Sequence, residues 1–267
     1  EQPREPADTA EHLGSVRALD GGLHELDRKV TRRRIDTGLG IRIARGIDHA
    51  PSLPATRAPP PYTGAMSAGD AQWVVREDAG RPVLLALYLR QVLGLRSPDE
   101  LPVLRGIPLA DPARDADLQQ TLERQWRAFW AMTVEPQAHP SPVPLALVGG
   151  FETLVALPIE GADELRQHIA PHARPALAYA ERAHESYRAD AAATPRASAR
   201  AYRSAIADHE RQVGRPAHSF ELNVQVLPLA QRGVWWIGSL TIAVTDGLRD
   251  DVVAFDSALH PIIADLA

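Results

Sequence analysis

The chain contains no cysteine, and Lys29 is its one lysine among 29 basic residues. Without thiols there is no cysteine nucleophile, no thiolate-ligated zinc, no iron–sulfur cluster and no disulfide. Without a second lysine there is no phosphate loop of the GK[ST] type, no Ser-x-x-Lys pair and one candidate only for a Schiff base. Aromatic residues make up 5% of the chain, and no apolar run reaches the roughly 18 residues that a membrane-spanning helix needs. The net charge of −5 gives no global attraction to nucleic acid or to an anionic membrane surface. The start, "EQPREPADTAEH", shows neither a basic n-region nor an apolar stretch, so no signal peptide is visible and a cytoplasmic setting is expected.

What remains is ordinary globular material: 267 residues, 45% hydrophobic and 24% charged, enough to bury a sizeable core. Residues 1–20 read as a loose polar arm and 21–267 as a single α+β domain. Two proline-rich loops interrupt it, at 46–70 and 135–144. "IRIAR" at 41–45 and "AQWVVRE" at 71–77 alternate as strands do. In "RPVLLALYLRQVLGL", Pro82 suits the start of a helix and Gly94 its C-terminal cap, and the unbroken apolar run Val83–Leu89 predicts a central, buried helix. Over 117–134, Leu118, Leu122, Trp126, Phe129 and Trp130 share one helical face. Helices are expected at about 161–170, 175–189 and 195–213, the last opened by Thr194 and Pro195 and closed by Gly214.

The tail alternates more cleanly than any other segment. Phe220, Leu222, Val224 and Val226 lie on one face of a strand, with Glu221, Asn223 and Gln225 on the other. In "GVWWIGSLTIAVT", Val234, Trp236, Leu240, Ile242 and Val244 share a face opposite Trp235, Ile237, Ser239, Thr241 and Thr245. Joining the two dry faces gives an antiparallel hairpin with Val226 opposite Trp236, Leu222 opposite Leu240 and Phe220 opposite Ile242. The expected fold is therefore α+β, with a mixed or mainly antiparallel sheet and a C-terminal hairpin packed on helices. In this register Trp236 enters the core, while Trp235 lies on the polar face between Leu227 and Ile237. A final helix places Val252, Phe255, Leu259, Ile262 and Leu266 on one face, with Asp246 at its start and a kink at Pro261.

Two functional classes follow. The first is a non-catalytic binding or assembly protein that uses the hairpin face around Trp235, with Ile237, Leu227, Glu221, Asn223 and Gln225; its partner is a small-molecule ligand or a second copy of the chain. The bland alternative for that face is cover by another element of the same chain. The second class is a metal-dependent enzyme. His168 and His172 are four apart, and His184, with Glu181 and Glu185, can add ligands for a divalent metal, although Pro171 breaks the helical continuity that the first pair needs. Other motifs are weaker. "AMSAG" around Ser67 has the spacing of a nucleophile elbow without the strand that precedes one. "GLG" at 38–40 lacks the rest of a dinucleotide fingerprint, and no flavin motif is present. "RKVTRRR" at 28–34 is diluted by acidic neighbours and has no interleaved aromatics, as a nucleic-acid site would.

The tail from Phe220 onward and "WRAFWAMTVEPQAHPSPVPL" resemble a group of uncharacterised proteins from high-GC Gram-positive bacteria, over most of the chain. A zinc-dependent alcohol dehydrogenase label is sometimes attached to that group. The cysteine-rich zinc sites and glycine-rich loop of such enzymes have no counterpart here, and the resemblance brings no functional residues with it.

Overall fold

A computed structural model describes residues 62–64, 73–113, 115–193 and 197–267, all within a unit that runs from Ala58 to Ala267. The expectations for the N-terminal arm, the 28–34 basic run, the glycines at 38–40, the strand at 41–45, Ser67, Thr194 and Pro195 concern residues outside that set, and of the loop expected at 46–70 the set holds 62–64, which form a strand.

In chain order, strands β1 (Tyr62–Gly64) and β2 (Trp73–Asp78) lead into helices α1 (Arg81–Val92) and α2 (Ala116–Val134). Strands β3 (Leu145–Leu147) and β4 (Ala156–Pro158) pair with each other as a small antiparallel sheet. Helix α3 (Asp163–Ile169) ends in a 3-10 turn at Ala170–His172, where Pro171 interrupts the helix, and is followed by α4 (Ala173–Ala193) and α5 (Ala197–Val213). Strands β5 (Phe220–Leu227), β6 (Val234–Trp236) and β7 (Thr241–Thr245) come next, then the single turn α6 (Asp246–Arg249) and the helix α7 (Val252–Leu266).

The main sheet has the order β1-β2-β5-β7-β6. Its centre is parallel, β2 with β5 and β5 with β7, and both edges are antiparallel. The protein is therefore α+β with a mixed sheet. One cluster of buried side chains joins Leu222, Val224, Val226, Ile242 and Val244 to Tyr202, Ile206, Phe255, Leu259 and Ile263 of α5 and α7. A second joins Leu227, Ile237 and Ala243 to α1, α2 and the first half of α4. Helices thus cover both faces of the sheet's centre.

The alternation of β5 holds, with Phe220, Leu222, Val224 and Val226 buried and Glu221 exposed. Its neighbours do not match the expected hairpin. Val226 lies beside Val244 in parallel register, and Trp236 faces Ile242 across the β6–β7 hairpin. The turn comes at 237–240, where Ile237 N and Gly238 N both donate to Thr241 O. Glu135, just past the end of α2, fixes that turn: its Oε1 accepts from Ser239 N (2.6 Å), Ser239 Oγ (2.5 Å) and Leu240 N (3.3 Å). A long strand from 234 to 245 is thereby divided in two.

Helix α1 is buried from Val83 to Gln91, as its apolar run requires. Its end is a Schellman motif: Gly94, at φ 64°, donates to Gln91 O (3.1 Å), and Leu95 N donates to Arg90 O (2.9 Å). The two polar residues of the last turn hold the following loop. Gln91 Nε2 donates to Leu104 O (3.2 Å) and Ile107 O (3.0 Å) and its Oε1 accepts from Leu104 N (2.6 Å), while Arg90 donates to the carbonyls of Arg96 and Pro98. Helix α2 buries Leu122, Trp126, Phe129 and Trp130; Trp126 Nε1 donates to Ala86 O of α1 (2.9 Å) and its ring stacks on Trp130. At the C-terminus Asp251, not Asp246, caps α7 by accepting from Ala254 N, and Val252 is exposed. The apolar face of α7 consists of Phe255, Leu259, Ile262 and Ile263, with Leu266 partly buried against the same core.

Candidate functional site

Strands β2 and β7 run in the same direction and flank β5. After β2 the chain turns into α1, on one side of the sheet, and after β7 it passes through α6 into α7, on the other. In open parallel sheets, chains that leave to opposite sides open a crevice at the carboxyl ends of the strands, where ligands bind. A cavity of about 80 Å³ lies at that edge, with Arg105, Tyr187, Asp190, Asp246 and Arg249 in its lining and Val226 of β5 as part of its floor.

A charged network is buried at the same edge. Glu77, one residue from the end of β2, and Arg249, the last residue of α6, have side chains only 3% and 4% exposed. Arg249 Nε and Nη2 each lie 3.1 Å from Glu77 Oε1. Tyr202 OH donates to Glu77 Oε2 at 2.8 Å, and Tyr187 OH approaches Oε1 at 3.5 Å. Burial opposes the charge on Arg249, but the Glu77 carboxylate outweighs it and the guanidinium is held more firmly than usual. Burial, reinforced by Glu77, pushes Tyr202 well above the ordinary tyrosine range, so its hydroxyl stays a donor. On the rim Arg105 grips both oxygens of Asp246, at 3.3 and 2.5 Å, and these contacts raise its pKa. Tyr179 OH donates to the Arg105 carbonyl (3.0 Å), and burial raises this phenol to about 12.

The residues expected around Trp235 are not gathered on one open surface. Leu227 and Ile237 are buried in the core shared with α1 and α2, and Trp235 is half-buried against that core. Gln225 Oε1 accepts from Gly80 N (2.8 Å) at the entry to α1. Asn223 is half-buried, and Glu221, which is exposed, pairs with Arg76 on β2. Trp236, expected in the core, is 40% exposed. Its face is the expected one, with Val234 and Ile242, but β6 is the edge strand of the sheet. Trp235→Ala is therefore expected to lower stability by about 2–3 kcal/mol and Trp236→Ala by about 1 kcal/mol. Urea unfolding midpoints check this, and the reverse order would refute the assignment.

The three histidines are also apart from one another in role. His168 is exposed, with Nδ1 2.7 Å from Glu164 O. His172 lies in the 3-10 turn. His184 Nδ1 bonds to Ala79 O (2.8 Å), with Asp78 3.9 Å away. Among the described residues, the group of three whose ligating atoms converge within 4.8 Å is Asp208, Asp256 and His260. Sequence reasoning missed Glu77, Arg105, Tyr202, Asp246 and Arg249. The one local signal was a pair of acids, Glu77 and Asp78, where a strand gives way to a helix.

The fold and the edge define an α+β protein with a charged crevice at the carboxyl ends of a parallel strand trio. No family model, curated protein or solved structure matches the chain. Among the described residues no helix is long and apolar enough to cross a membrane.

Proposed function

We propose that the chain is a non-catalytic binding protein whose ligand is a small polar molecule seated at the carboxyl edge of the sheet. The observation that carries this reading is the coincidence of a crevice, where the chain leaves β2 and β7 to opposite sides, with the buried Glu77–Arg249–Tyr202 network at the same edge. A buried, mutually satisfied network of this kind fixes the side chains around it before a ligand arrives. The lining sets guanidinium groups beside carboxylates with which they pair, Arg105 with Asp246 and Arg249 with Asp250, and a ligand that bears both an acidic and a basic group can exchange with such pairs. About 80 Å³ admits only one end of such a molecule, the rest lying outward over Arg105 and Asp246. Binding is favoured over catalysis because Tyr179, Tyr202, Arg105 and Arg249 all have pKa values moved away from pH 7, whereas proton transfer near pH 7 needs values drawn toward it.

The test is a thermal-shift panel of free amino acids, dicarboxylates and sugar phosphates on the wild type and on Arg105→Ala. A ligand present at 100 times its Kd adds about 2.7 kcal/mol of stability. The expected result is a rise in Tm with amino acids, larger than with either purely anionic class, and lost in Arg105→Ala. No rise with any class, or an equal rise in the variant, would overturn the reading.

A further inference from the structure

We propose that α5 and α7 hold a divalent transition-metal cation between Asp208, Asp256 and His260, a site separate from the edge crevice. One carboxylate oxygen from each aspartate and a ring nitrogen of His260 lie within 4.8 Å of one another. The two helices pack side by side in the layer that covers the Tyr202–Phe255 core, and 52 positions of sequence separate Asp208 from His260.

The hydrogen bonding points to a cation. His260 Nδ1 lies 2.8 Å from the backbone carbonyl of Asp256. A carbonyl only accepts, so Nδ1 carries the proton, and in the neutral ring Nε2 presents a lone pair. That lone pair faces Asp208 Oδ2 at 3.2 Å, one acceptor against another. Arg211 occupies the other Asp208 oxygen, Oδ1, and leaves Oδ2 to the cluster. Independently, Asp256 Oδ1 is buried with no hydrogen-bond partner. A second proton on His260 would relieve the contact with Asp208 and leave the Asp256 oxygen unpaired. One divalent cation satisfies all three groups.

The geometry suits that occupant. Two ligands about 2.1 Å from a tetrahedral metal stand about 3.4 Å apart, close to the 3.2 Å between Nε2 and Oδ2. An imidazole whose Nδ1–H is tied to a carbonyl is held in orientation with Nε2 free to ligate, as metal-bound histidines generally are. One nitrogen and two carboxylate ligands fit Zn²⁺ or Mn²⁺ better than Ca²⁺, with water completing the shell. The cation would clamp α5 to α7 and stabilise the native state in proportion to its occupancy.

The experiment uses the full chain, free of any histidine tag and stripped with EDTA, and titrates ZnCl₂ and MnCl₂ by calorimetry with thermal unfolding in parallel. One equivalent is expected to bind and raise Tm. Asp256→Asn, which keeps the side-chain shape, and His260→Ala are each expected to weaken binding at least tenfold and to lose the rise in Tm, with circular dichroism confirming that both fold. Absence of stoichiometric binding by either metal, which would leave a proton as the element that joins His260 to Asp208, overturns the proposal. So does binding that survives in His260→Ala.

Discussion

Arg249→Met is expected to lower the unfolding free energy by about 3–5 kcal/mol. The size of the loss comes from what stays behind: Glu77, 3% exposed, is left in the protein interior with two tyrosine hydroxyls in place of a guanidinium. The pair itself is worth far less than its rupture, because removing two charges also removes two desolvation penalties. The double variant Glu77→Leu with Arg249→Met is therefore expected to recover most of the loss, a coupling that a double-mutant cycle reads directly. Urea unfolding with an unchanged m-value gives all three numbers. A loss below about 1 kcal/mol in Arg249→Met would show that water reaches Glu77 and that the network is not dry.

The same network sets an alkaline limit. An unfolded tyrosine ionises near pH 10, whereas native Tyr202 holds its proton well above that value, through burial and the neighbouring Glu77. Above pH 10 the unfolded chain releases a proton that the native chain retains. The stabilisation tied to this hydroxyl is complete below pH 10 and falls as pH rises toward the native value. Tyr179, raised to about 12 mainly by burial, acts in the same direction. Tyr202→Phe flattens the decline of stability between pH 10 and 12, against the wild type measured in parallel.

The contrast between what the sequence showed and what it concealed follows the range of the interactions involved. Helix α1 was legible because its signals are local: Pro82 near its start, seven apolar residues in succession and Gly94 past its end. Helix α2 was legible because Leu122, Trp126, Phe129 and Trp130 repeat at the helical period and do pack inward. In β5 the alternation identified the dry face correctly, since side-chain direction depends only on the pleat. It could not identify the neighbours, because a strand with one dry face pairs equally well with parallel or antiparallel partners, and here the partner Trp73 of Phe220 lies far back in the chain. The two tryptophans show the same division. Their opposite faces were legible, but which one is covered depends on where α1, α2 and their loops end over the edge strand. The crevice was the least legible part, for Glu77 and Arg249 are 172 positions apart and neither belongs to a local motif.

Gly94→Ala is expected to cost about 3 kcal/mol, and Gly214→Ala, at a nearly identical backbone angle, about 1 kcal/mol. Both glycines follow a helix with positive φ, 64° and 70°, so an alanine at either carries the same left-handed penalty. They differ in their surroundings. A Cβ on Gly214 meets nothing within 4 Å, whereas one on Gly94 falls 2.5 Å from Asp111 O and 2.8 Å from Ala110 O. Those are main-chain atoms, and the loop that carries them is tethered: Ala110 N donates to Gln91 O (2.9 Å), while Gln119 donates to Gly94 O (3.2 Å) and accepts from Ala113 N (2.9 Å). Relief of the clash must break that clasp between α1 and α2, which adds an overpacking cost of about 1–3 kcal/mol to the backbone strain. Paired urea titrations separate the two contributions. Equal losses in the two variants would mean that the loop at 110–113 yields, and that the end of α1 is held by its Schellman bonds alone.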